Sequence, residues 1–125
     1  MLPISEQIKR VLDDLQHKSD IKESYVIRKD GLIMTSSNPH EKNQRIAAMA
    51  ASLMNLGEKT LSDVGEDKLK RLLITGETLQ IIIMGSSDVA LVCVVGSDAN
   101  IGMVFLKMKR SVVKIFDIIN KAYEE

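Results

Sequence analysis

Tryptophan is absent from this 125-residue chain, cysteine occurs once and proline twice, and the aromatic residues are two tyrosines and two phenylalanines. Net charge is missing as well, since 17 basic residues balance 17 acidic ones. Each shortage excludes a class of protein. Nucleic-acid binding calls for an excess of phosphate-neutralising cations and usually for aromatic stacking platforms, and neither is present. Cys93, alone within Leu91-Val92-Cys93-Val94-Val95, supplies no disulfide framework and no metal knuckle, and reads as a small buried hydrophobe. No run approaches the roughly 20 apolar residues of a membrane span. Residues Met1 to Arg10 lack the apolar core of a signal peptide. The expectation is one soluble, cytoplasmic domain over residues 1–125, without direct membrane insertion.

Catalytic groupings are equally scarce. His17 and His40 have no second histidine or cysteine at metal-ligand spacing, so each reads as a solvated surface side chain. The turn Gly85-Ser86-Ser87-Asp88 lacks the lysine and the glycine spacing of a phosphate loop. With no acid/base pair and no metal cluster, the sequence points to a non-enzymatic protein that needs no cofactor.

What the chain does have is a long helical stretch from Asn38 to Gly65. Asn38 suits a cap, Pro39 the first helical position, and Glu41 the return contact of a capping box; Gly65 suits a C-terminal stop. On a helical wheel Ile46, Met49, Ala50, Leu53, Leu56, Gly57, Thr60, Leu61 and Val64 share one broad face. Ala47 and Met54 widen it to about half the circumference, whereas core packing alone needs a stripe of roughly 100°. The opposite arc holds Gln44, Ala48, Ala51, Ser52, Asn55 and Ser62, with Glu58, Lys59 and Asp63 only towards its end. Such a smooth, charge-poor arc is either inert helix surface or a face that another element covers. Gly57, in the middle of the helix, suggests a close approach of its backbone to the sheet or to another helix.

Around it the periodicity predicts a short amphipathic helix over Ser5–Ser19, strands over Tyr25–Arg28 and Leu32–Ser36 joined through Asp30-Gly31, strands over Leu69–Thr75, Leu79–Met84 and Val89–Val95 joined by tight turns, and a last helix over Met103–Tyr123. Phe105, Met108, Val112, Ile115, Phe116, Ile119 and Tyr123 form its expected buried stripe, with the loop Gly96–Gly102 capping its start. The run Val89–Val95 is apolar throughout, so both of its faces must be covered and helices must flank the sheet on both sides. The polar start of Leu69–Thr75 marks that strand as an edge. The fold class is α+β, in the order α-β-β-α-β-β-β-α.

That order, together with Tyr25-Val26-Ile27-Arg28-Lys29-Asp30-Gly31-Leu32-Ile33, the alanine-rich helix 46–53, the strands through Leu72-Leu73-Ile74 and Ile81-Ile82-Ile83, and Asn100-Ile101-Gly102 before the last helix, resembles the Roadblock/dynein light chain family, and most closely its stand-alone prokaryotic members. The resemblance implies a profilin-like, five-stranded antiparallel sheet with the middle helix on one face and the terminal helices on the other. It also implies a homodimer formed through the middle helices and the third strands, and a small Ras-like GTPase as partner. The interface is then expected on the helix flank of Ala47, Ala48, Ala51, Met54, Asn55 and Glu58, with Leu69 and Arg71 at the edge strand. Arg45 and Arg71 are the nearest candidates for an arginine finger, and neither rises above surface background. A light-chain-like assembly subunit without a GTPase partner remains the alternative. A small-molecule sensor or enzyme on a similar sheet would need a concave pocket with convergent polar groups.

Overall fold

The computed structural model describes residues 2–86 and 88–124, so Ser87 of the expected turn 85–88 lies outside the described residues. In chain order the elements are α1 (Ile4–Gln16), β1 (Ile21–Arg28), β2 (Ile33–Ser36), α2 (Asn43–Asp63), β3 (Arg71–Thr75), β4 (Leu79–Ser86), β5 (Val89–Gly96) and α3 (Ile101–Glu124). The strands form one sheet in the order β2-β1-β5-β4-β3, and every neighbouring pair is antiparallel. The last strand therefore sits at the centre, with all eight of its residues buried, as its uninterrupted apolar run requires. β2 and β3 are the two edges.

Alternation along the strands divides the core in two. Val26, Ile82, Leu91, Cys93 and Val95 point to one face, where α1 supplies Ile8, Leu12 and Leu15 and α3 supplies Val104, Met108 and Ile115. Tyr25, Ile27, Ile83, Ala90 and Val92 point to the other, under Ala47, Ala50, Ala51 and Met54 of α2. Gln16, at the end of α1, accepts hydrogen bonds through Oε1 from Ser24 Oγ (2.5 Å) and from Ser37 Oγ, which fastens the helix to β1 and to the segment after β2.

The β1–β2 connection follows from its Asp-Gly pair. Asp30 Oδ1 accepts from the Leu32 amide (3.1 Å), Gly31 lies at φ +93°, and Arg28 N donates to Leu32 O (2.8 Å). Gly65, at φ +94°, ends α2 with its amide on Ser62 O (3.1 Å). Asn100 caps α3, its Oδ1 accepting from Met103 N (3.2 Å).

Three sequence expectations are corrected. α2 starts at Asn43 rather than after Asn38, because Asn38 and Pro39 belong to the turn leaving β2. There the Asn38 amide donates to Ser36 Oγ (3.2 Å) and its Oδ1 accepts from Ser37 Oγ (2.6 Å). Among the described residues no side chain caps the helix. Buried Asn43 anchors it instead, with Nδ2 donating to Ser36 Oγ and to Asn38 O, each at 3.0 Å. Tyr123 is 86% exposed, so it leaves the buried stripe of α3. The third strand is shorter than expected and begins at Arg71; Leu69 and Lys70 precede it.

Candidate functional site

The wheel of α2 foretells a wide apolar arc, and the structure shows which part of it the sheet uses. The sheet takes the narrow, small-residue side. Alanine at 47, 50 and 51 allows close approach, and the approach is tight: a Cβ on Gly31 would stand 3.2 Å from Ala48 Cα, and one on Gly85 would run into Met54 Cε. On the β1–β2 side the helix is pinned by polar contacts. Gln44 Nε2 donates to Gly31 O (2.7 Å), and Lys29 Nζ pairs with Glu58 Oε1 (3.0 Å).

The opposite side of α2 leans towards β3. A Cβ on Gly57 would meet Leu69 Cδ2 at 3.3 Å and Leu72 Cδ2 at 3.7 Å, so Gly57 is where the loop before β3 tucks beneath the helix. Outward from that seam run Met49, Leu53 and Leu56, all exposed, spaced four and three apart as one ridge. Thr60 continues the ridge with its hydroxyl tied back to Leu56 O (2.8 Å). Beside the ridge lies β3, paired only with β4 through the register Arg71↔Met84 to Thr75↔Gln80. Its outer backbone edge is free, and Leu73 and Ile74 are exposed on it. A three-residue apolar ridge and an unpaired strand edge thus adjoin on one side of the protein.

The eight residues expected at an interface separate under this geometry. Ala47, Ala51 and Met54 lie in the protein's own core, which corrects their assignment to a contact ridge: with no free surface they hold α2 to the sheet. Ala48 and Asn55 are exposed on the polar side of α2. Glu58 is half-buried and engaged by Lys29, and Leu69 is half-buried under Gly57. Arg71 is exposed at the start of β3, where its guanidinium lies 4.4 Å from the centroid of the Phe105 ring on the α3 side of the sheet. The large apolar side chains left exposed on this side are instead Met49, Leu53 and Leu56 of α2 and Leu73 and Ile74 of β3. The signal for the three helix residues is the large apolar half of the wheel, which the sheet leaves uncovered.

Among the described residues, reactive side chains do not converge. Cys93 is buried, and burial pushes its thiol far up. Burial, with Glu23 and Cys93 adding, raises the Tyr25 phenol to about 12. His40 Nε2 sits 2.8 Å from Glu23 Oε1. A groove of about 410 Å³ beside β2 is lined by Lys9, Thr35, Pro39, Glu41 and Gln44 among others, without a nucleophile and base in contact. Among the described residues no three histidine, cysteine, aspartate or glutamate side chains gather to hold a metal. Nor is any helix there long and apolar enough to cross a membrane.

The architecture is a five-stranded antiparallel sheet between one helix and two, with an apolar helix ridge beside an edge strand paired on one side. The chain belongs to the Roadblock/LC7 domain family, whose pattern it matches over residues 7–95. It is similar to an uncharacterized protein of Methanocaldococcus jannaschii, 30% identical over 113 residues that cover 90% of this chain and 96% of that one. Among solved structures it superposes on Myxococcus xanthus MglB with a TM-score of 0.88 at 18% identity, over 97% of this chain and 93% of that one. It also superposes on Acanthamoeba castellanii profilin II with a TM-score of 0.59 at 13% identity, over 87% and 93% of the two chains. At those identities the two superpositions establish the shared fold.

Proposed function

We propose that this protein is a homodimeric, non-enzymatic module that binds and regulates, or positions, a small Ras-like GTPase. The observation that carries the dimer is the ridge of Met49, Leu53 and Leu56 next to the free edge of β3. A twofold axis beside that edge pairs two β3 strands into a ten-stranded sheet and sets two α2 ridges against each other. One contact then covers both liabilities. Membership in the Roadblock family supports the GTPase as partner, because its members bind small Ras-like GTPases. The exposed polar side of the paired helices, with Ala48, Ser52 and Asn55, offers small, uncharged residues against which a switch segment could lie. In this reading residues 1–125 act as one cytoplasmic unit, and the mechanism is a shift in GTPase conformational populations without chemistry of the module's own.

The test uses the small Ras-like GTPases encoded in the same genome. Each is purified, loaded with GDP or a non-hydrolysable GTP analogue, and titrated against the full chain by calorimetry. Expected is one GTPase bound with clear preference for one nucleotide state, and no GTP turnover by the isolated module. Binding to none of them in either state, with capture of a filament or motor component instead, would replace this reading with the light-chain-like assembly subunit.

A further inference from the structure

We infer that the outer face of α3, with Arg71 of β3 beside it, docks on an anionic lipid surface. The charge distribution points there. The chain as a whole is neutral, yet residues 101–120 of α3 carry Lys107, Lys109, Arg110 and Lys114 against one carboxylate, exposed Asp117, one turn beyond Val113 on the same face. Arg71 joins this group because its guanidinium stacks over Phe105 of α3. None of the ion pairs among the described residues uses any of these five cations. An unneutralised cationic face on a neutral protein calls for a partner of opposite sign.

Two apolar side chains decide what kind of anion fits. Leu106 and Val113 are exposed, seven residues apart, with exposed Lys109 and Arg110 between them on the same face of the helix. Cations interleaved with outward apolar groups match the headgroup–acyl boundary, where ammonium and guanidinium groups meet lipid phosphates while the apolar groups sink below them. A folded acidic partner would want a hollow for an anchoring side chain. The enclosed space under α3 is about 10 Å³, and the groove beside β2 lies at the opposite edge of the sheet. Nucleic acid would want an open aromatic face, but the Phe105 ring is covered by Arg71.

This face lies across the sheet from α2, so a membrane-bound protein would still present its α2 ridge and β3 edge. The inference therefore stands whether or not that ridge pairs two copies.

The full chain is sedimented with vesicles of phosphatidylcholine alone and of phosphatidylcholine mixed with phosphatidylserine. Expected is co-sedimentation with the mixed vesicles at low ionic strength, release at high salt, and none with the neutral vesicles. Removing Lys109 and Arg110 together (K109Q/R110Q) should weaken partitioning about thirtyfold, at about fivefold per cation. L106S/V113S should weaken it while leaving its salt dependence in place. Lys114→Gln alone should weaken partitioning about fivefold, and unchanged thermal melting shows that each variant is folded. Failure to bind mixed vesicles, equal binding to neutral ones, or indifference to K109Q/R110Q would overturn the inference. So would capture of the chain by polyglutamate while vesicles leave it in the supernatant, which assigns the face to an acidic polypeptide.

Discussion

Introducing one carboxylate at either of two α2 positions should have opposite consequences. Leu56 is 62% exposed, so Leu56→Glu leaves the protein's own core untouched. Fully burying a leucine is worth about 1.5–3 kcal/mol, of which a dimer covering the exposed remainder would gain about 1–2 kcal/mol per copy. Twofold symmetry doubles the loss to about 2–4 kcal/mol, a dimer weakened about 30- to 1000-fold, before the glutamate's own desolvation is counted. Ala51 is 5% exposed and faces the cluster of Tyr25, Ile27 and Ile83, so Ala51→Glu puts a charge without a partner into that core. The cost of several kcal/mol rivals the total stability of a domain this size, and the variant should unfold or accumulate as insoluble protein. Size-exclusion chromatography with light scattering reads the first effect, and thermal melting by circular dichroism reads the second. A folded Leu56→Glu that remains as dimeric as the parent refutes the ridge as interface, and a folded Ala51→Glu refutes the placement of that face on the sheet.

Other substitutions probe the supports of the fold. Gly31→Ala forces a side chain into a φ of +93° and towards Ala48 Cα at 3.2 Å, and should lower stability by about 1–3 kcal/mol in urea unfolding. Asn43→Ala strips the donor from Ser36 Oγ and Asn38 O in a buried site and should cost about 1–3 kcal/mol, clearly more than Asn38→Ala. The Tyr25 hydroxyl finds no hydrogen-bond partner among the described residues, so Tyr25→Phe should be neutral or stabilising at pH 7. Its phenol titrates near 12 in the folded protein against 10.0 when unfolded, so the folded state holds that proton more tightly. The associated stability is complete below pH 10 and falls by about 2–3 kcal/mol as pH rises through 12. Alkaline unfolding of Tyr25→Phe should lack this component.

The fold was largely legible because its strongest signals are local. Asp30-Gly31 between two β-branched runs leaves few options besides a hairpin, and the apolar run of β5 fits only a central strand covered on both faces. The start of α2 departs from its sequence signals for an equally physical reason. Asn38, Pro39 and Glu41 carry capping chemistry, but the cap must compete with the end of β2, where Ser36 and Ser37 recruit the groups of Asn38. Those contacts join side chains whose proximity depends on where the strand ends, which helix-start rules do not contain.

The misplacement of the α2 face teaches something more general about helices on sheets. A wheel reports the width of an apolar arc and says nothing about which part of it meets the sheet. Here the large side chains suggest the core by hydrophobicity, and the small ones suggest a helix–helix contact by size. The structure reverses both, because the distance between layers is set by the bulkiest groups trapped between them. Tyr25, Ile27, Ile83 and Val92 already fill the sheet face, so the helix above them contributes alanines and one methionine that lies over Gly85. Met49, Leu53 and Leu56 are then turned outward by the 100° step of the helix itself, however apolar they are. Large apolar residues that a helix cannot use on its own sheet persist at a cost in solubility unless another surface covers them. Their position beside the β3 edge, where Leu73 and Ile74 are exposed, is what makes one shared contact the economical explanation of both.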